Sequence, residues 1–516
     1  MASTFDDYFA RYGPAYRWIA TVTVMLASIT VVLSATIVNV AVPDVMGTFG
    51  VGLDQAQWMA TAFLAAMTIS QLMSAWTLDC LGTRMTFVLM LCLFTIGALI
   101  AASAGSMEVL ALGRTLQGIA AGVIQPVSMV VLALVFPPER RGYAMGIYSM
   151  GVVLAPTLGP AVGGITIDTL NWRYIFFLPL PMCGIAILLG MNFLPVREAN
   201  NQPRPFDWPG VLVLAVAIVC LLTALSTGQR YGWLSDRILL LFVVSAIASW
   251  VFVSLQLRST SPVLDFAVLR NSQFASACLI AFIFGSGLFA TTYYIPVFVQ
   301  TVLAYTPTQS GILLVPAGLG LMLVLPLAGR LADSIPAHYL IIFGLCVLSI
   351  GFMLMAGTDV NTSFFALMAI TVFSRCGMGF IQPPLRTAAV RALRPELLAR
   401  GSGTLNFFRQ LGGAFGISAL VIAVEQRTQV HSAAFSATQT SANETSRVLI
   451  GEVEKLLSQA GVAQAVQQDG AINYLGRVIH AQATSLAFQD AALLISAVFI
   501  VTVLPAMLLA KGKTTA

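Results

Sequence analysis

Fourteen stretches of this 516-residue sequence are long and apolar enough to cross a bilayer, at 18–43, 55–76, 86–104, 107–134, 142–166, 174–194, 208–227, 238–256, 274–300, 309–331, 339–356, 363–388, 401–424 and 488–510. A span needs about 20 such residues. So much apolar surface requires either a very large soluble core or a lipid phase, and composition separates the two. Hydrophobic residues make up 58% of the chain and charged residues 9%, whereas soluble domains carry about 25% charged residues. Mean hydropathy is +0.88. The sequence therefore predicts an all-α polytopic membrane protein with 14 transmembrane helices, its partner being the lipid bilayer.

The basic residues predict the orientation. An even span count places both termini on one side. If that side is the cytoplasm, the inner loops hold Arg84, Arg140, Arg141, Arg197, Arg204, Arg258, Arg270, Arg330, Arg386, Arg391, Arg394 and Arg400, and the tails hold Arg11, Arg17, Lys511 and Lys513. These are 16 of the 26 Lys and Arg. Short outer loops hold only Arg173, Arg230 and Arg237, the asymmetry expected when positive charge stays inside. The net charge of +5 is thus a matter of topology and gives no reason to expect nucleic acid. The seven cysteines lie in or beside the apolar runs without CxxC spacing, and the three histidines are scattered, so neither a disulfide framework, a metal site nor a cofactor is expected. Asp6 and Asp7 precede a first run too long for a signal peptide, so that run is expected to stay as a span.

An internal repeat divides the chain. Residues 120–126 (AAGVIQP) parallel 377–383 (GMGFIQP), Pro138-Glu139-Arg140 parallels Arg394-Pro395-Glu396, and Asp79 parallels Asp333, at offsets of 254–259 residues. Six helices with loops occupy roughly 180 residues at about 20 per span plus connections, so the remainder fits two inserted helices at 208–256. The expected organisation is 6+2+6: residues 1–200 a six-helix bundle, 201–270 the insertion, and 271–516 a second six-helix bundle with an outer loop at 425–487. Repeats of this kind are typical of secondary transporters, which bind substrate between the halves.

The fifth span carries Gly151, Pro156, Gly159, Pro160, Gly163 and Gly164. Its glycines suit close helix contact in lipid and its prolines are expected to bend it. The stretch closely resembles the antiporter motif of the major facilitator superfamily, specifically of its drug:proton exporters. The following 171–177 (NWRYIFF) is similar to the segment leading into that family's sixth helix. The resemblance covers nearly the whole chain. It implies a major facilitator fold, export rather than import, alternating access and protons as coupling ions.

Further resemblances mark charge and coupling candidates. Arg114, in a fourth span reading RTLQG, resembles the family's fourth-helix arginine, implicated in coupling; the other reading is a structural arginine reaching the outer interface. Asp79, Gly82 and Arg84 resemble part of the superfamily's inner-loop motif, although Ala75 and Cys80 depart from it. The repeat copy, Gly329-Arg330-Leu331-Ala332-Asp333, resembles the opening of that motif better. In the family this loop pairs charges where the halves meet, the alternative being a solvated turn. The first span resembles that of the fourteen-helix exporters but has Ser34 where they usually carry an aspartate. No acid falls near the middle of a predicted span; Asp44 and Asp490 lie near outer ends. Arg409 and Arg375 lie inside the thirteenth and twelfth spans, each either a coupling group or half of a structural pair.

Polar and aromatic residues within spans nominate a substrate pocket: Asn39, Gln125, Tyr148, Tyr293, Tyr294, Gln382, Asn406 and Phe407. Lipid-facing aromatics are the competing reading. Residues 446–467 of the outer segment read as an amphipathic helix. A segment there resembles the Emr-type branch, whose members hand substrate to a periplasmic adaptor and onward to an outer-membrane channel; a loop without a partner is the alternative. The sequence thus points to a bacterial inner-membrane exporter of small hydrophobic or amphipathic compounds. A dedicated exporter of a fatty acid, siderophore or other metabolite is the alternative, and a membrane receptor or enzyme a remote one.

Overall fold

The computed structural model describes all residues except 1–4, 52, 57, 196–204, 260–261, 304, 306, 441–442 and 510–516. Arg197, Arg204, Lys511 and Lys513 lie outside the described residues, as do the side chains of Asn39, Tyr293 and Pro160. Among the described residues, regular structure is entirely helical, as it must be where no water can satisfy backbone groups. Twelve described helices are long and apolar enough to span a membrane.

The first set begins with α1, Ala15–Ile37. The 45-residue helical stretch Trp58–Ala102 has one non-helical residue, Gly82, at φ 72° and ψ 173°, a conformation open to glycine. It separates α2 (58–81) from α3 (83–102). The chain reverses there. On α4, Met107–Val135, Gly118 and Gly122 lie against Phe63 and Met67 of α2, while Gly113 lies against Ala101 and Gly97 of α3. Opposite faces of α4 therefore meet α2 running parallel to it and α3 running antiparallel. The Thr86 hydroxyl donates to the Thr77 carbonyl across the reversal at 2.8 Å. Next come α5, Arg141–Thr169, and α6, Leu180–Phe193, both packed on α1. The α5 helix is 29 residues long. It continues through Pro156 and Pro160 without a break, so these prolines do not interrupt it.

Two helices follow, α7 (Trp208–Tyr231) and α8 (Asp236–Arg258). They pack on each other, and the Ser245 hydroxyl donates to the Ala217 carbonyl at 2.9 Å. Their outer faces show Leu212, Leu240 and Trp250, as expected of a surface in contact with lipid. The second set comprises α9 (Ser272–Thr301), α10 (Pro307–Ser334), α11 (Ala337–Ala356), α12 (Phe364–Gly379), α13 (Gln382–Arg391), α14 (Leu398–Ala437), α15 (Glu444–Gln459) and α16 (Gln464–Val501).

The repeated sequence folds differently in its two copies. The first, 120–126, lies inside unbroken α4 with Pro126 in mid-helix. The second breaks at Phe380 and Ile381, and α13 starts with Pro383 and Pro384 in its first turn. One proline removes one ladder donor, whereas two adjacent prolines remove two and favour a fresh start.

The outer segment is more regular than the sequence suggests. The α14 helix continues past the predicted end at 424 to Ala437, and α16 begins at Gln464, well before the predicted start at 488. These extensions run about 20 Å and 36 Å beyond the predicted spans at 1.5 Å per residue. The amphipathic helix expected over 446–467 is instead α15, Glu444–Gln459, with the Asn443 side chain capping its start, followed by a turn into α16. It packs along α16.

Candidate functional site

The two helix sets meet along a seam, and the contacts across it cluster at one end. There α5 crosses α10. A methyl group on Gly142 would press into the Gly329 carbonyl oxygen, and one on Gly146 would lie 2.5 Å from the Leu325 carbonyl. Only a hydrogen fits, so the two backbones touch, as small residues permit in membrane helices. The Asp333 carboxylate at the end of α10 accepts from the backbone N–H groups of Gly142 (2.7 Å) and Tyr143 (2.9 Å) in the first turn of α5. A carboxylate suits unpaired N–H donors at a positive helix end. Arg391 lies 3.7 Å from Asp333 and donates to the Pro138 carbonyl at 3.2 Å. On the other side of the seam, Gly403 of α14 meets the Gln71 carbonyl of α2, and Ser402 donates to the Pro126 carbonyl at 3.4 Å.

Asp79 and Arg84, in the first copy of this loop, serve differently from Asp333. Arg84 donates to the Leu194 carbonyl (2.8 Å) and the Tyr8 hydroxyl (2.6 Å), both within the first set. Asp79 lines a pocket with Trp76, Asp207 and Arg400, and no base pairs with it among the described residues. Arg400 pairs with Asp265. Charge contact across the seam in this region falls to the second copy.

Deeper along the seam the two sets exchange polar contacts. Arg409 of α14 donates through Nη2 to Gln125 Oε1 of α4 at 3.0 Å and to Asn406 Oδ1 at 3.4 Å, and its Nε is buried without an acceptor. Three sequence candidates thus converge. Arg386 of α13 donates to Ser149 Oγ of α5 at 3.0 Å, with its guanidinium carbon 5.4 Å from the Tyr148 ring centroid. The Tyr148 hydroxyl is fixed at 2.7 Å from Ser28 Oγ, itself 3.1 Å from Ser128 Oγ. Gln125 lies about one helical turn before Ser128, so the two arginines meet one polar patch of the first set. Sequence reasoning counts Arg386 among inner-loop bases, yet it belongs to α13, inside the predicted span 363–388. Its position within that span was the available signal.

Other candidates stand apart. Arg114 is fully buried within the first set. It donates to the Met59 carbonyl (3.0 Å), Ser34 Oγ (3.0 Å) and Gln117 Oε1 (2.9 Å), and lies 4.2 Å from the Phe63 ring centroid. It does not reach for the outer interface. Arg375 meets Thr292 at 3.5 Å and Met378 Sδ at 3.9 Å. Tyr294 is no pocket residue: its hydroxyl donates to the Phe488 carbonyl at 2.9 Å and its ring packs against Phe298, Phe352 and Phe488. Phe407 is buried in a cluster with Leu214, Leu222 and Phe252 of α7 and α8. Gln382 is half-buried at the start of α13. Asp44 is exposed in a short helix after α1, and Asp490 is held by Arg427 (2.6 Å) and His431 (2.8 Å), which lie on the extension of α14. The antiporter-motif glycines face α1 rather than the seam: Gly151 meets Met25, Gly159 meets Thr36, and Gly163 meets Ile37. Gly164 has no such neighbour, and Pro156 is exposed.

A helical membrane bundle in two sets, joined through a polar seam with arginines inside it, is the architecture of a secondary transporter. The chain belongs to the Major Facilitator Superfamily, whose sequence profile matches residues 24–417. It is 30% identical over 416 residues to the multidrug export protein EmrB of Haemophilus influenzae, covering 80% of this chain and 81% of that one. It is 28% identical over 461 residues to EmrB of Escherichia coli (88% and 90% covered). It is 30% identical over 397 residues to the multidrug transporter protein MdtP of Bacillus subtilis (77% and 73% covered). Among solved structures, the human organic anion transporter MFSD10 aligns with TM-score 0.61 at 15% identity, covering 96% of this chain and 99% of that one. The proton:xylose symporter XylE aligns at 0.58 and 13%, with 94% and 95% covered. Both likenesses concern the fold. The protein is a multi-pass membrane transporter of this superfamily.

Proposed function

We propose that this chain exports small hydrophobic or amphipathic compounds across a bacterial inner membrane by alternating access, coupled to the inward flow of protons. The observation that carries the reading is the seam: polar and backbone contacts bridge the two helix sets at one end, where Asp333 of α10 holds the first turn of α5. The relatives at 28–30% identity are named for multidrug export or transport. In the proposed topology, Gly82 divides Trp58–Ala102 into two spans and α5 is a further one, which supports fourteen spans in a 6+2+6 order with boundaries near 200 and 270. The basic inner loops then put both termini and the closed end of the seam in the cytoplasm, making this conformation outward-facing. The helical extensions of α14 and α16, with α15 beside them, stand outside as a surface for a periplasmic adaptor leading to an outer-membrane channel.

Proton-coupled export is tested in proteoliposomes with a panel of hydrophobic dyes and fatty acids. The expected result is movement of the compound against its own gradient when an inward proton gradient is imposed, abolished by an uncoupler. Uphill transport that persists unchanged without any proton gradient refutes proton coupling, and absence of transport for the whole panel refutes the export reading.

A further inference from the structure

Among the described residues, the two guanidinium groups at the centre of the seam have no acid to answer them. Asp333, Asp265 and Asp490 supply the acids paired with Arg391, Arg400, Arg427 and His431, and neither Arg386 nor Arg409 takes part in these pairs. Their partners are neutral: Ser149 and the Tyr148 ring for Arg386, Gln125 and Asn406 for Arg409. An ionised group withdrawn from water without a counter-ion is strongly disfavoured. An anion that enters the seam would relieve that penalty.

The donor inventory indicates what that is. A guanidinium carries five N–H donors in a planar fork matched to two oxygens of one oxyanion. Arg409 uses Nη2 only, and its Nε is buried with no acceptor at all. Arg386 is engaged through Nη1. Both side chains are only partly buried, so a molecule entering the seam can reach them. Tyr148, fixed by its bond to Ser28, holds an aromatic face beneath Arg386. Arg114 provides the contrast. Its partners are also neutral and its Nη2 is also buried without an acceptor, but it is wholly enclosed by the first set, so a molecule in the seam does not reach it.

We propose that Arg386 and Arg409 together bind the anionic headgroup of the transported compound, so that the preferred cargo is an amphipathic organic anion with a carboxylate, sulfonate or phosphate head. The assignment rests on the export reading above and narrows its substrate class. Both arginines come from the second helix set, while Gln125 and Ser149 come from the first. A headgroup held by the arginines displaces neutral contacts that tie the two sets together.

The test uses the full chain in nanodiscs of zwitterionic lipid and three ligands sharing one tail: decanoate, decyltrimethylammonium and decanol, each titrated by calorimetry. Decanoate is expected to bind at least tenfold more tightly than the other two. Arg386→Gln and Arg409→Gln are each expected to weaken decanoate at least tenfold while leaving decanol unchanged, and Arg409→Lys, which keeps the charge, to retain more affinity than Arg409→Gln. The wild-type headgroup series needs no variant: if the cation or the alcohol binds as tightly as decanoate, the proposal is overturned. Glutamine variants that fold with unchanged melting temperature and keep the anion preference overturn it too. Adding phosphatidylglycerol distinguishes the source of the anion, because competition with decanoate reassigns the site to a lipid headgroup and overturns the cargo assignment. Binding is read without transport. Selective decanoate binding without export in proteoliposomes sinks the export reading alone, and export without headgroup preference sinks only the present one.

Discussion

Replacing Asp333 by asparagine should release the closed end of the seam. The carboxylate accepts two backbone N–H groups at 2.7 and 2.9 Å, and its side chain is 11% exposed. Hydrogen bonds to a charged group contribute about 1.5–3 kcal/mol each. Asparagine keeps one acceptor oxygen and therefore one of the two bonds. The 3.7 Å approach of Arg391 adds little, because that side chain is 39% exposed and solvent screens it. The net loss is about 1.5–3 kcal/mol, nearly all of it from contacts across the seam. Such contacts exist only while this end is closed, so the loss shifts the balance between conformations roughly ten- to 150-fold toward opening. The assay is electron–electron distance measurement between spin labels at exposed positions Arg140 and Arg330, in a background without native cysteines. A protein that is 1% open in the wild type would become about 10–60% open in the variant, seen as a longer-distance population. An open population that changes less than threefold, in a variant of normal melting temperature, would show that Asp333 does not hold the closed end, and the reasoning fails.

Two further perturbations probe the same seam. Gly142→Leu places a side chain where only a hydrogen separates α5 from Gly329, and the variant is expected to fold yet favour the open arrangement, with transport reduced at least tenfold; wild-type transport rates would refute the close-contact account. Gln71 is buried beside Gly403 with neither amide atom hydrogen-bonded, a burden of about 1–3 kcal/mol. Gln71→Met, of similar length, is expected to raise the melting temperature and the closed fraction in the same distance assay, and a lower melting temperature would show that the amide is satisfied in this state.

Much of the architecture was legible because lipid enforces a simple code. Runs of apolar residues became helices, and Gly82 in the expected inner loop became the one residue where Trp58–Ala102 reverses. Legibility fell where a residue's type does not reveal its neighbours. Tyr294 and Phe407 look like pocket aromatics in a span, but an aromatic ring serves equally well between helices of one set, where Tyr294 lies, or against inserted helices, where Phe407 lies. The outer extensions were hidden for another reason: hydropathy reports where lipid ends, and a helix in water continues under different rules. Arg386 escaped because a charge near the end of an apolar run reads as loop, and the Pro383–Pro384 pair that restarts the helix there gives no sign of which way the next turn faces.

The same sequence signal, a lone arginine in an apolar helix, nominated both Arg114 and Arg409, and what separates them is the origin of their partners. Every acceptor of Arg114 belongs to its own helix set, so those bonds survive a rigid-body rocking of one set against the other. The Gln125 bond of Arg409 and the Ser149 bond of Arg386 cross the seam, and rocking must break them. Only interactions whose strength differs between two conformations can bias the balance between them. In the proposed cycle Arg114 can therefore be indispensable to folding without steering it, whereas the cross-seam bonds of Arg386 and Arg409 are the ones that differ between its states. This also bears on Ser34, which stands where an aspartate is usual in the fourteen-helix exporters that the first span resembles. An aspartate at that position would neutralise a cation inside one set, next to Arg114 Nη1, at 3.0 Å from the present hydroxyl. A serine there leaves that charge with neutral partners in every state the two sets adopt by rigid rocking, and places the state-dependent electrostatics on the two arginines of the seam.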